Sequence, residues 1–149
     1  MKSEEIVAQS VRNRLESLSS RIKSLLPTTI CNIGDIIVSD SLQVYASFLK
    51  TPQSNTLDLC FLLKPTRENV VVSADLVKGG SGDVLSEMSP IISPSQENEF
   101  ERFVNHIDEY ILSQEDNLIQ ELRQEELKKC YFILQDEPKP HTIKIEENE

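Results

Sequence analysis

The residues that could carry chemistry are few, and the densest group of them is glycine-rich. Three of the four glycines fall within residues 79–82. Backbone N–H groups of such a loop bind phosphate when the loop opens a helix. Here Lys78 precedes the glycines instead of following them, and the residues after them look like a strand, so the phosphate-binding patterns are absent. We expect a flexible hairpin turn.

Histidine and cysteine form no stronger constellation. His106 and Glu109 are three residues apart on one helical face, which gives two ligands where zinc takes three or four. His106 is therefore expected to be a partly buried structural residue, and His141 lies in the C-terminal tail. Cys60 has no histidine nearby in sequence that could activate it as a nucleophile. No catalytic, cofactor-binding or metal-binding residue is predicted.

Two carboxylates share the polar register of neighbouring predicted strands, at Asp58 and Asp75. Buried pairs of this kind perform general acid–base chemistry. Cross-strand ion pairing, with Lys64 and Arg67 close by, is the commoner role on a half-exposed sheet face. A small-molecule-binding protein or enzyme, with a pocket between sheet and helices, is therefore an alternative only. Its candidate polar groups are Asp58, Asp75, His106 and Tyr45.

Strict alternation over residues 42–49, 57–64 and 70–77 predicts the strands that would position these side chains. In each segment one register is wholly apolar, so the three strands lay one apolar face on a core. Residues 35–39 and 84–92 predict a short strand before them and a final strand after them. The connecting segments are short and rich in turn residues, which favours an antiparallel meander.

Two helices are predicted to flank this sheet. Residues 3–26 repeat apolar side chains at spacings of three and four. A second, acidic helix over residues 94–129 is expected to begin at Ser93 as N-cap, with Pro94 in the first position and Gln96 completing a capping box. Gln114 interrupts its apolar stripe, where a kink or a break is expected.

The C-terminal part is less regular. Residues 130–134 are strongly apolar and predict either a docked helix end or a short strand. Residues 136–149 are acidic and contain two prolines, which predicts a flexible tail, with an edge strand at 142–145 as an option. The fold class is therefore α+β: an N-terminal helix, a meander of four to five strands and a long acidic helix packed on the sheet. We assign 1–135 to a single domain and 136–149 to the tail.

Charge and cysteine content restrict the partners. The net charge is −10, and residues 93–149 carry fifteen acidic against six basic side chains. Such a surface repels phosphate backbones, so no nucleic acid is expected, and a basic protein is the charge-complementary partner. No apolar run approaches the ~20 residues of a membrane span, and the N-terminus lacks a signal peptide. Three widely spaced cysteines indicate a reducing, cytoplasmic location.

The second register of the central strands is mixed, neither fully polar nor fully apolar. Either one helix covers each face of the sheet, or both helices lie on the apolar face and the mixed face meets another chain. Partial coverage by the chain's own helix or tail is the commoner outcome, whereas an exposed apolar patch indicates an interface. The candidate partner-binding residues are Tyr45, Leu49, Leu62, Val71 and Val77 of the mixed register and Glu121, Glu125 and Glu126 of the acidic helix.

The function predicted from these features is a non-enzymatic protein-binding module of the inhibitor, immunity or dedicated-chaperone type. The acidic helix would attract a basic partner, and the mixed sheet face or a sheet edge would supply apolar contacts. The small-molecule-binding protein or enzyme described above is the first alternative. A structural homo-oligomer, such as a homodimer joined through the mixed face, is the second.

Overall fold

A computed structural model describes the backbone of residues 4–135 and the side chains of residues 4–124. The chain forms a helix, five strands and a second helix, which confirms the predicted α+β class. The elements are α1 (Glu4–Leu25), β1 (Ile30–Val38), β2 (Ser41–Leu49), β3 (Leu57–Pro65), β4 (Val70–Lys78), β5 (Val84–Ile92) and α2 (Phe100–Gln135).

The five strands form one sheet in the order β1-β2-β3-β4-β5, with every neighbouring pair antiparallel. The meander is therefore confirmed. The first strand is longer than the predicted 35–39, because it begins at Ile30 and pairs with β2 along its whole length. Its asparagine, glycine and aspartate hide the alternation that marks the central strands. The two-residue connection to β2 is Ser39–Asp40, where Ser39 adopts a φ of 54°.

Both helices lie on the same, apolar face of the sheet. The fully buried side chains of this layer include Leu15 and Leu18 of α1, Phe61 of β3, and Ile107 and Leu118 of α2, all in one hydrophobic cluster. The expectation that the chain's own helix shields the mixed face is therefore wrong for the described helices. One physical reason is that both helices carry an apolar stripe, and only the apolar register of the strands can bury two such stripes at once.

Ion pairs between the helices show their relative direction. Arg14 Nε lies 2.7 Å from Asp108 Oδ1, and Arg21 Nε lies 2.7 Å from Glu115 Oε1. Both partners advance by seven residues, so α1 and α2 run parallel. That direction follows from an odd number of antiparallel strands between two helices with short connections.

The start of the second helix differs from the prediction. Ser93 is buried directly after β5 and bonds to Val70 of β4: its Oγ accepts a hydrogen bond from Val70 N at 2.8 Å, and its own N–H donates to the Val70 carbonyl at 2.9 Å. A single 3-10 turn at Glu97–Glu99 follows, and α2 begins only at Phe100. The serine hydroxyl satisfies a strand amide instead of a helix N-terminus, so the capping-box prediction was wrong.

The helix α2 is continuous through the polar segment where a kink was expected. Gln114 is buried, and its side chain donates to Ser113 Oγ and accepts from Asn117 Nδ2. Because neighbouring side chains satisfy this amide, the helix holds a buried polar group without breaking. Residues 130–134 are helical up to Gln135, whereas the predicted tail 136–149 and its optional strand lie outside the described residues.

Candidate partner-binding face

No described helix packs on the second face of the sheet, which we call the open face. The strand registers place Tyr45, Cys60, Asp75 and Glu87 in one row across β2 to β5, each side chain opposite the next. Paired residues of antiparallel strands point to the same side, so these four side chains share one surface. This row is the polar centre of the open face.

Apolar side chains flank this row on both sides. Of the predicted residues, Leu49, Leu62, Val71 and Val77 flank the row, Tyr45 belongs to it, and all five are half-buried. The two edge strands add exposed apolar side chains that sequence reasoning missed, because neither edge strand shows a clean alternation. These additional side chains are Ile36, Val38, Val84 and Ile92.

The edge strand β5 is irregular, which explains why its contribution could not be predicted from alternation. Its register against β4 shifts between Val72 and Ala74 and again between Leu76 and Val77. Each shift inserts an extra residue in β5 and so reverses which side later residues face. Pro90 sits at one of these irregular positions, where a missing backbone donor costs no ladder hydrogen bond.

A shallow groove of about 530 Å³ crosses the open face. Val38 of β1 and Pro90 of β5 both line it, so it spans the full width of the sheet, roughly 19 Å across five strands. One part of the groove is apolar, at Val38 and Leu62, and the other is acidic, at Asp75 and Glu87. The groove therefore combines two kinds of surface along one line.

The two acids of the groove face each other without compensation. Asp75 and Glu87 are direct register partners on β4 and β5, and neither forms an ion pair or hydrogen bond within the described residues. Burial first, and the charge of Glu87 second, raise the pKa of the Asp75 carboxyl above its ordinary value of 3.8. The folded chain therefore holds two neighbouring negative charges that disfavour each other.

Cys60 lies beside these acids and is a poor nucleophile in this position. Burial, and then the charges of Asp75 and Asp58, raise the pKa of its thiol to about 11. Reactive cysteines have lowered pKa values and electropositive surroundings, and Cys60 has the opposite. Cys31 lies on the helix-covered face, opposite buried Phe48, so the sheet itself separates these two free thiols.

Asp58 has a local structural role in the same surface. Its Oδ1 accepts a hydrogen bond from Ser47 Oγ at 2.7 Å, and its Oδ2 accepts one from Thr56 Oγ1 at 3.1 Å. The predicted cross-strand ion pairing of Asp58 and Asp75 is not what the structure shows, because hydroxyl donors occupy the Asp58 carboxylate and Asp75 has no ion pair within the described residues. Tyr45 of the polar row lies over Gly34 of β1, where an added Cβ would come within 2.9 Å of the tyrosine hydroxyl.

The structure separates the remaining predicted residues from the open face. Glu121 belongs to α2, on the other side of the sheet, and its Oε1 lies 3.3 Å from Lys78 Nζ. Glu125 and Glu126 are in α2 as well, but their side chains lie outside the described ones. His106 is exposed on α2 and is not partly buried as expected, so it does not meet Asp58, Asp75 or Tyr45 in a pocket.

The predicted hairpin turn of the glycine-rich segment is confirmed, since residues 79–83 connect β4 to β5. Gly79 N donates to the Thr56 carbonyl at 2.7 Å, so the turn packs on the preceding β2–β3 connection. A smaller cleft of about 270 Å³ lies beside it, lined by Thr56, Lys78, Gly80 and Glu121 among others. Lys78 and Glu121 form an ion pair there, and Asp83 also lines the cleft.

No protein family, curated protein or solved structure matches this chain. None of the described helices has the length and apolar character needed to cross a membrane. Within the described part of the chain, no three His, Cys, Asp or Glu side chains are grouped so that they could hold a metal ion. The surface chemistry of the open face is therefore the basis for any functional conclusion.

Proposed function

We propose that this chain is a non-enzymatic protein-binding module that docks a basic protein on its open face. The observation that carries the proposal is a sheet face without a described helical cover, where exposed apolar side chains surround an uncompensated acid pair. Exposed apolar patches of this kind mark interaction sites. Because the acid pair in the same patch has no counterion among the described residues, the patch favours a positively charged partner.

The overall electrostatics support the same partner chemistry. The net charge of −10 accelerates encounter with a basic protein and opposes self-association. Acids of α2 contribute to this long-range attraction even though they lie on the other side of the sheet. A cytoplasmic location belongs to this proposal, and two free cysteines on opposite sides of the sheet support it.

The test uses the full chain as bait together with two matched leucine variants. Leu62→Glu places a charge in the apolar half of the groove, whereas Leu112→Glu makes the same change at an exposed leucine of α2, on the other side of the sheet. We expect a bound basic protein to be retained by wild type and Leu112→Glu and lost from Leu62→Glu. Thermal unfolding followed by circular dichroism checks that both variants fold.

Two outcomes would contradict the proposal. A partner that still binds Leu62→Glu with wild-type affinity docks elsewhere on the protein. A wild-type dimer in size-exclusion chromatography with light scattering, converted to a monomer by Leu62→Glu, would assign the open face to a homo-oligomer instead.

A further inference from the structure

The acid pair of the groove differs from the other acids that bridge elements of this structure. Asp35 pairs with Arg12, Asp108 with Arg14, and Glu115 with Arg21, so each of these charges has a counterion. Asp75 and Glu87 have none within the described residues. The nearest basic side chain along the same face of β3 is Lys64, four residues from Cys60 and so about 13 Å along the strand.

The position of the acid pair in the groove restricts which chemical groups of a partner could neutralise its charge. The two carboxylates start from Cβ atoms about 5 Å apart, as direct partners on adjacent antiparallel strands. A planar group with several N–H donors can reach both at once. In the apolar half of the groove, Leu62 lies one strand spacing across and two residues along from Asp75, or about 8 Å away, and Val38 lies three spacings across and four residues along, or about 20 Å away.

We infer that the acid pair Asp75–Glu87 receives an arginine side chain of the protein partner, while apolar side chains of the same partner segment occupy the groove at Leu62 and Val38. The inference rests on the proposed function and adds the partner's chemistry to it. A guanidinium presents five donors in a rigid fork and is more weakly hydrated than an ammonium, so it suits two adjacent carboxylates, the half-buried Asp75 and the exposed Glu87, better than lysine does. The two carboxylates repel each other in the free protein, whereas in the complex both attract the guanidinium.

The length of the groove also specifies the segment. Every second residue of an extended peptide faces the same side, at a spacing of about 6.6 Å. Two apolar residues and one arginine at alternate positions therefore cover about 13 Å, which lies between the distances of Leu62 and of Val38 from Asp75, and the long arginine side chain extends the reach of the segment. The acetylated and amidated peptide Leu-Ser-Leu-Ser-Arg has this pattern and serves as the probe.

The experiment titrates the isotope-labelled full chain with this peptide and follows the backbone amide resonances by NMR. Two control peptides replace arginine with lysine or with citrulline, which keeps the shape of arginine but carries no charge. We expect the resonances of Leu62, Asp75 and Glu87 to shift most, and the arginine peptide to bind about five- to tenfold more tightly than the citrulline peptide. The lysine peptide should fall between them.

The protein variants supply the decisive comparison. Asp75→Asn combined with Glu87→Gln should abolish the preference for arginine over citrulline, whereas Glu16→Gln, at an exposed acid of α1, should leave it unchanged. Equal binding of the arginine and citrulline peptides to wild type overturns the inference, as does the absence of any arginine-dependent shift at millimolar peptide. A preference for arginine over citrulline that persists in the Asp75→Asn, Glu87→Gln double variant also overturns the inference.

The failure of this inference is distinguishable from failure of the proposed function. A captured protein that is lost from Leu62→Glu but retained by the Asp75→Asn, Glu87→Gln double variant shows that the open face binds a partner without an arginine in the acid pair. A captured protein retained by both variants contradicts the proposed function itself.

Discussion

Neutralising Asp75 should make the free protein more stable. The carboxylate is half-buried, faces Glu87 across the β4–β5 ladder and has no counterion or hydrogen-bond donor among the described residues. Asp75→Asn keeps the shape of the side chain and removes the charge. If removing the Asp75 charge stabilises the fold, then stability does not explain why the charge is there. The result therefore tests the proposed binding role of the acid pair.

The magnitude follows from the position of the two carboxylates. Like charges directly opposite each other in a sheet destabilise it by up to about 1 kcal/mol. Asp75 is half-buried and Glu87 is exposed, so water partly screens their repulsion and the burial cost adds little. The expected gain in stability at neutral pH is about 0.5–1 kcal/mol. For a chain of this length, 1 kcal/mol corresponds to about 2–4 °C in Tm.

The sign of the pH dependence is fixed by the direction of the pKa shift. Folding raises the pKa of Asp75 above 3.8, so the folded state binds this proton more tightly than the unfolded chain does. The stability that the folded chain gains by binding this proton is fully present below that ordinary value. It is lost as the pH rises through the raised pKa of the folded state. The gain from Asp75→Asn should therefore be largest at neutral pH and vanish at the acidic end.

Urea unfolding followed by circular dichroism, from neutral pH down to the ordinary pKa of a carboxyl group, measures this difference. Glu16→Gln removes the same charge from an exposed site of α1 without an ion pair in the described residues, and controls for net charge. Adding Glu87→Gln completes a double-mutant cycle. In this cycle Glu87→Gln should raise the free energy of unfolding less in the Asp75→Asn background than in wild type. A loss of stability in Asp75→Asn at neutral pH, or a gain independent of pH, would refute the reasoning.

Two further substitutions test packing around the sheet. Ser93→Ala should destabilise the protein by about 1–3 kcal/mol, because it leaves the buried Val70 amide without an acceptor. Hydrogen exchange of that amide should accelerate, while Ser89→Ala, at an exposed serine of β5, should change little. Gly79→Ala should cost about 1–3 kcal/mol in urea unfolding, because the added Cβ would come within 2.3 Å of Thr56 Oγ1 and 3.2 Å of its backbone oxygen. Gly34→Ala is the matched comparison and should cost less, since only the flexible end of a tyrosine must move; equal losses at the two glycines would contradict this account.

Much of the architecture could be predicted because it depends on local periodicity. Alternation over β2, β3 and β4 identified the strands and the side chains that are buried, among them Val44, Phe61 and Val72. The spacing of apolar residues likewise located α1 within one residue at each end. Short connections made the antiparallel meander the simplest topology, and the structure has it.

Other features could not be inferred from local pattern, because they depend on partners far away in sequence. Ser93 has the residue type and context of a helix N-cap, but the amide that uses its hydroxyl belongs to Val70, on another strand. A kink or a break of α2 was expected at Gln114, but neighbours within the helix satisfy its side chain. A serine or glutamine side chain forms hydrogen bonds with whichever polar group the folded chain brings next to it. Sequence spacing does not reveal which group that is.

The amino-acid sequence by itself determined which elements form and which side of each strand is apolar, since both follow from the periods of the strand and the helix. Only the tertiary structure decided that both helices share one face and that Asp75 meets Glu87 on the other. Those outcomes depend on strand register and on the irregularities of β5, where one inserted residue reverses the side that later residues face. The acid pair that defines the proposed partner exists only once β4 and β5 are aligned.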